Sequence, residues 1–432
     1  MYRKTVGLMK VEATVHGKPK ILFVTPVLGH PPKGGPELRI ENSIKALARI
    51  SAITLYCRTS HAKMGGSEAF NYLKRFVDTI HFAPFCRQNS SPLIAHIRNF
   101  FLGTFLGRSS SCTESVSDFQ DVIETAHEVG ADVIWLGYGN ISYPLLRYIK
   151  AHSNIPVVVD TDSVWSRFVL RGAPYAMDDI ERQRIENEGE EKREEERWGT
   201  RLAEVTTSVS DVDAEYYRGL TDDPGSVHIF SNVIDLNTYK SVPPPREFTT
   251  PCIYLAGTFW SGSPMEDSAR WVLEHVLPIL KREVPEIHVY IAGRGSAQVL
   301  ADIHDSAVTI AGELSSVLPY LTNATVAVVP LRFESGTRFK ILEAGACGIP
   351  VVSTTLGAEG IPTTNGRDIL IADTPQDFSN AIIRVIRDRQ LAENLGLNLK
   401  ELVTRSFSID VLASEGQAIL DHLITREQRL RL

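Results

Sequence analysis

The stretch Pro330–Ser353, PLRFESGTRFKILEAGACGIPVVS, decides how the second half of the chain is read. The apolar run that ends at Pro330 (VAVVP, from Val326) reads as a buried strand, being short and closed by a breaker. A loop with Gly336 and Thr337 follows. A helix is predicted from near Arg338 to near Gly348, and Pro350 opens the next strand. Strand, loop, helix and strand make a parallel α/β unit. Its loop-to-helix junction offers free backbone N–H groups at the positive end of a helix dipole. Arg338 and Lys340 add two cations beside it, one suited to forked contacts and one acting as a point charge. Glu343, one turn later, can accept hydrogen bonds from ribose hydroxyls. These residues predict a cradle for a diphosphate, although a surface helix with ordinary cations has the same spacing.

The same rhythm runs outward from this unit. On its N-terminal side, Ile253–Ala256, His288–Ala292 and Val308–Ala311 read as strands, and Ala269–Glu283 as an amphipathic helix. On its C-terminal side lie a strand at Ile369–Ile371 and helices at Pro375–Arg387 and Asp410–Ile424. The Pro-rich segment Ser241–Pro251 reads as an interdomain linker. Before it, strands are expected at Lys20–Pro26, Ala52–Cys57, Ala131–Leu136, Pro156–Asp160, Val205–Val209 and Val227–Phe230. A glycine loop, Leu28–Pro36, joins the first of these to a helix at Glu37–Arg49. Ile180–Glu204 reads as a long charged helix in which Glu188 and Lys192 can pair. The expected fold is α/β: two Rossmann-like, doubly wound domains facing across a cleft. The expected divisions are an N-terminal extension (1–19), a first domain (20–240), a second domain (241–408) and a C-terminal helix (409–432) packing back on the first domain.

Composition removes several classes. With 43% hydrophobic and 22% charged residues, the 432-residue chain has an ordinary soluble make-up, and its length suits two or three domains. A net charge of −7 gives no global basic field for nucleic acid. The five cysteines are widely spaced with no C-x-x-C pair, which argues against a zinc site or a disulfide framework and favours a reducing cytosol. The first residues lack the apolar core of a signal peptide, and no apolar run reaches the roughly 18 residues of a membrane span. The expected location is the cytoplasm, with room for peripheral contact at the inner face of a membrane. Pro92–Arg108, with Phe100, Phe101 and Phe105 between Arg98 and Arg108, could dock an apolar acceptor or an anionic membrane, or pack as a core helix.

Together these segments resemble the family 4-type glycosyltransferases, which have the GT-B fold. The resemblance is carried by Gly336–Thr354 (GTRFKILEAGACGIPVVST), the glycine loop at Gly34 and Gly35, and Val209-Ser210 with Ser231–Asp235. Tyr320–Leu331 and Leu356–Gly360 add to it, and it extends over roughly Lys20 to Ile424. It implies a metal-independent, hexosyltransferase-like enzyme that retains anomeric configuration. A nucleotide-diphosphate sugar would be the co-substrate, with no other cofactor. A sugar, glycolipid or natural product would be the acceptor, bound by the first domain while the second binds the donor. Position by position, Arg338 and Lys340 would hold the donor phosphates and Glu343 would bind the ribose, matching the second Glu of the family's E-x7-E motif. Gly35 would let backbone approach the phosphate or the transferred sugar.

Two departures stand out. Ser335 occupies the place of the first Glu of that motif, with Glu334 one residue out of register, so the amides of Ser335, Gly336 and Thr337 would take over its contacts. The chain also reads Asp160-Thr161-Asp162-Ser163 where many members carry a His, which makes Asp162 the candidate catalytic contact to the sugar. His30, in the glycine loop, is the candidate general base, and Arg39 could help an anionic acceptor. Rival readings are a sugar-nucleotide epimerase or phosphorylase on the same fold, a catalytically inactive partner subunit, and a hydrolase using Asp160, Asp162 and Glu343.

Overall fold

Short, continuous apolar runs suit strands covered on both faces, the usual state of a parallel sheet. The computed structural model describes residues 18–84 and 116–430 and arranges such runs in two sheets. The first contains β1 (Lys20–Thr25), β2 (Ala52–Cys57), β3 (Thr79–Phe82), β4 (Val133–Gly137), β5 (Val157–Asp160), β6 (Val205–Ser208) and β7 (Val227–Ile229). Their order is β3-β2-β1-β4-β5-β6-β7, and every pairing is parallel. The second contains β8 (Cys252–Ala256), β9 (His288–Ala292), β10 (Val308–Gly312), β11 (Val326–Val329), β12 (Val351–Ser353) and β13 (Leu370–Ile371). Its order is β10-β9-β8-β11-β12-β13, again all parallel. The winding direction reverses between β1 and β4 and between β8 and β11. Such switch points open a crevice at the carboxyl ends of the strands, where ligands bind.

The final helix, Ile409–Leu430, packs against the helix Gly35–Ile50 of the first domain. Its Leu412, Ile419, Leu420 and Leu423 are buried in the first domain's core. Each such burial contributes about 1.5–3 kcal/mol, enough to fix the return of the tail. Glu415 on this helix accepts hydrogen bonds from the Ser231 backbone N–H at 2.7 Å and its hydroxyl at 2.8 Å.

Several expectations are corrected. Ala269–Glu283 is not one regular helix: Pro264–Trp271 and Leu277–Glu283 flank a wide π turn at Val272–Val276. Pro278 is the physical cause, since it has no N–H to give and its ring crowds the carbonyl one turn back. In the helix Asp179–Leu202, Glu188 pairs with Arg184 at 3.4 Å and Lys192 with Glu195 at 2.7 Å, rather than with each other. β3 and the helices Val116–Val129 and Arg389–Ser406 were not expected. Pro92–Arg108 and nearly all of the N-terminal extension lie outside the described residues. No helix among the described residues is long and apolar enough to cross a membrane.

Candidate active site

β11 ends at Val329, and a loop carries the chain to the helix Phe339–Cys347. Gly348, with φ +72°, ends that helix in the left-handed conformation glycine adopts most easily. At its other end Arg338 occupies the N-cap position without a side-chain cap bond. The loop before it is pressed against the first domain. The Ser335 hydroxyl oxygen accepts the Val164 N–H at 3.3 Å, and Asn232 donates to the Thr337 hydroxyl at 2.9 Å. Gly336 has φ +80°, and a Cβ there would lie 2.7 Å from the Asp162 carbonyl oxygen and 2.9 Å from Ser163 Cβ. Only glycine allows this conformation and this approach together. Gly35 faces the start of the same helix, where an added Cβ would sit 3.2 Å from the Phe339 ring. The structure thus gathers Gly35, Asp162, Ser335, Gly336 and Thr337 at the meeting of the two domains.

Arg338 is placed differently from the expectation of a phosphate fork. It is 4% exposed and folds back on its own loop. One terminal nitrogen donates to the carbonyls of Ser335, at 2.7 Å, and of Gly336, and the other to that of Leu356 at 3.4 Å. Its Nε is buried without a partner. Burial lowers the pKa of the guanidinium, against the pull of Glu334, Glu359 and Asp213. In this arrangement Arg338 braces the loop from behind.

Lys340 is half-buried and makes no hydrogen bond or ion pair among the described residues. Burial pushes its ammonium pKa down, while Glu334 pulls it up. Glu343 accepts a hydrogen bond from the Tyr239 hydroxyl at 3.0 Å, and burial raises its carboxyl pKa.

Asp162 accepts a bond from the Trp165 indole N–H at 3.1 Å, and the nearby Tyr138 hydroxyl favours its charged form. Burial raises its pKa, with Arg39 pulling the other way. The following helix, Trp165–Leu170, takes no side-chain cap from it. His30 is not a loose loop residue. Its Nδ1 lies 2.7 Å from Glu41 and its ring stacks on Tyr72 with centroids 3.5 Å apart. A carboxylate partner favours the tautomer protonated at Nδ1 and leaves Nε2 as the acceptor. No hydrogen bond joins His30 to Asp162 or to the 335–337 loop among the described residues.

Arg39 is not available to an acceptor in this arrangement. It is 2% exposed and pairs with Asp160, while also donating to Thr161 O at 3.0 Å and Phe230 O at 3.1 Å. Its other terminal nitrogen donates to Asn232 Oδ1 at 2.8 Å. A buried line of contacts therefore runs from Asp160 through Arg39 and Asn232 to Thr337, from one domain's strand end to the other's loop. Asn232 entered the sequence reading only as part of the Ser231–Asp235 segment, and neither Tyr138 nor Tyr239 was singled out. Arg171 was also missed: it holds Glu359 through two hydrogen bonds, at 2.7 and 2.8 Å, and Glu334 O at 2.7 Å. Among the described residues no group of three His, Cys, Asp or Glu side chains is arranged to hold a metal ion.

Two parallel Rossmann-like sheets, joined by a linker and meeting at their strand ends, define the GT-B fold. Residues 250–388, which include the loop and helix just described, match the family model "Glycosyl transferases group 1". Sucrose-phosphate synthase from Thermosynechococcus elongatus is similar in structure, with 17% identity, a TM-score of 0.68, and 95% of this chain and 100% of that one covered. HepE from Anabaena, solved with UDP and glucose, has 15% identity and a TM-score of 0.62, covering 93% of this chain and 99% of that one. The galactosyltransferase WaaB of the lipopolysaccharide outer core, in its apo form, has 16% identity and a TM-score of 0.55 over 93% of this chain and 99% of that one. No curated protein sequence matches the chain.

Proposed function

We propose that this protein is a glycosyltransferase that moves a sugar from a nucleotide-diphosphate sugar to an acceptor hydroxyl. The observation that carries this is the junction of the 335–337 loop, the helix start at Phe339 and the unpaired cation Lys340, set against Asp162 and Gly35 of the other domain. The family-model match over this segment supports the same reading, as does a structural neighbour solved with UDP and glucose.

The backbone amides at the helix start and Lys340 would receive the donor diphosphate, while Glu343 would accept a ribose hydroxyl. Negative charge grows on the departing nucleotide diphosphate as the glycosidic bond breaks. Dipoles and a cation already aimed there stabilise that charge without reorganising. Asp162 would contact the transferred sugar from the first domain. His30, oriented by Glu41, would stand on the acceptor side, where Nε2 can take a proton. Contact between the domains would exclude water from the bond being broken. We assign the enzyme to the family 4-type, metal-independent and retaining, acting in the cytoplasm or at the inner face of a membrane. Its acceptor would be a sugar, glycolipid or natural product.

Calorimetric titration with UDP, GDP and ADP tests the donor site. At least one should bind. Glu343→Gln, which leaves Tyr239 a carbonyl to bond, should weaken that nucleotide while inorganic diphosphate binds as before. Absence of binding by every nucleoside diphosphate would overturn the proposal.

A further inference from the structure

One guanidinium ties two loops of the second domain to the first. Arg171 lies directly after the helix Trp165–Leu170, which begins three residues beyond Asp162. Its two terminal nitrogens reach the two carboxylate oxygens of Glu359, at 2.7 and 2.8 Å. One of them also donates to the Glu334 carbonyl at 2.7 Å. Glu359 lies in the Leu356–Gly360 turn, and Glu334 immediately precedes Ser335. The paired side chains are 27% and 23% exposed, so the ion pair is shielded more than a surface one. Two parallel N–H···O contacts also fix direction, which a single contact does not.

The base of this contact is held in turn. Ser166, on the same helix, donates from its backbone to Glu196 at 3.1 Å and from its hydroxyl at 2.5 Å. Beyond Arg171, the Tyr175 ring lies 5.2 Å from that of Phe333 and under the Arg332 guanidinium at 4.9 Å. Residues 162–175 of one domain thus run alongside residues 332–337 of the other.

We propose that Arg171 is a positioning residue for transfer: a clasp that forms as the domains meet and, through Glu334 O, sets the direction of the Ser335–Thr337 amides. This rests on the transferase reading above. In this reading Arg171 acts through Glu359 and Glu334 alone, and separating the domains breaks its three contacts together. Lysine, a point charge, can keep one of them but not the fork.

The experiment compares Arg171→Ala, Arg171→Lys, Glu359→Gln and the double variant Arg171→Ala/Glu359→Gln with the wild type. Turnover is counted per nucleotide-binding site by calorimetry, so that unfolded protein does not enter it, and domain separation is read by small-angle X-ray scattering. Arg171→Ala should lower kcat at least about tenfold while the nucleoside-diphosphate Kd changes by less than about threefold. Arg171→Lys should recover part of the loss. The double variant should be no slower than Arg171→Ala, because both changes remove one interaction. The radius of gyration should rise in every variant that lacks the fork. Wild-type kcat in Arg171→Ala, losses that add in the double variant, or unchanged scattering would each overturn the clasp. Failure of the wild type to bind any nucleoside diphosphate would instead remove the transferase reading, and the scattering comparison would still decide whether the clasp holds the domains together.

Discussion

A lysine held half-buried with neither a hydrogen bond nor an ion pair has nothing to offset its desolvation, and Lys340 is in that state, while Arg338, two residues away, is more buried but donates to three carbonyls. The two cations should therefore respond differently to removal. Lys340→Ala takes away a charge-assisted phosphate contact worth about 1.5–3 kcal/mol, so nucleoside-diphosphate binding should weaken roughly ten- to hundredfold. Its melting temperature should hold or rise, because an unpaired buried charge is gone. Arg338→Ala strips donors from the carbonyls of Ser335, Gly336 and Leu356, so melting temperature and binding should fall together. Melting curves and calorimetry on both variants check this; a stability loss confined to Lys340→Ala would contradict the assignment. Asp213 makes a separate case for pH. Burial, opposed by Arg167 and Arg338, raises its carboxyl pKa to about 6. The unfolded value is about 3.9. Between these values the folded chain keeps a proton that the unfolded chain has lost, so stability falls as pH rises through that window. The contribution is at most about 3 kcal/mol, from about 1.4 kcal/mol per pKa unit. Asp213→Asn should flatten this part of the curve, as thermal melts between about pH 4 and 7 would show; an unchanged slope would refute it.

Elements transmit these local effects, and the 335–337 loop depends on one glycine. Gly336→Ala places a methyl group against the Asp162 carbonyl and Ser163 at a positive φ, so the loop must shift away from the first domain. The conformational strain alone costs on the order of 1 kcal/mol. Melting temperature should fall and transfer should drop more steeply than nucleotide binding. Equal transfer by the variant and the wild type would show that the loop-to-domain contact is not needed. This unit was legible in the sequence because its parts are contiguous: an apolar run, a glycine, two cations and a glycine stop lie within one short segment. The parallel sheets were legible for a similar reason, since strands covered on both faces leave continuous apolar runs such as those of β1 and β11. Tertiary pairings were not legible. Arg171 and Glu359 are 188 residues apart, and nothing local to either marks the other. Arg39 read as a possible contact to an acceptor, because its partner Asp160 is brought near it only by β5 lying beside β4, which in turn lies beside β1. The π turn was foreseeable from Pro278, whose missing N–H breaks the helical ladder, but the amphipathic spacing around it hid the break.

At the scale of the whole molecule, two switch-point crevices face each other and a ligand in one is bounded by the other. A nucleoside diphosphate seated on the second domain, as proposed, would bind the folded state and not the unfolded chain. At a concentration about a hundredfold above its Kd it stabilises that state by about 2.7 kcal/mol. For a domain of roughly 200 residues this raises the melting temperature by about 5–10 °C. The shift should appear in the transition that unfolds the second domain, and more weakly in the first, because each domain has its own main core and the two meet through Arg171, Asn232 and Ser335 and through Leu38 and Ile234 against the second core. In the metal-independent enzyme proposed here, EDTA should leave the shift unchanged. A panel of UDP, GDP, ADP, CDP and dTDP melted with and without EDTA makes the measurement. A shift by one nucleotide in both conditions identifies the donor class and supports Lys340 as its phosphate partner, provided that Lys340→Ala abolishes most of it. A shift abolished by EDTA would move phosphate neutralisation from Lys340 to a cation. A panel with no shift at all would leave Lys340 unpaired for some other reason and would remove the donor site from this junction.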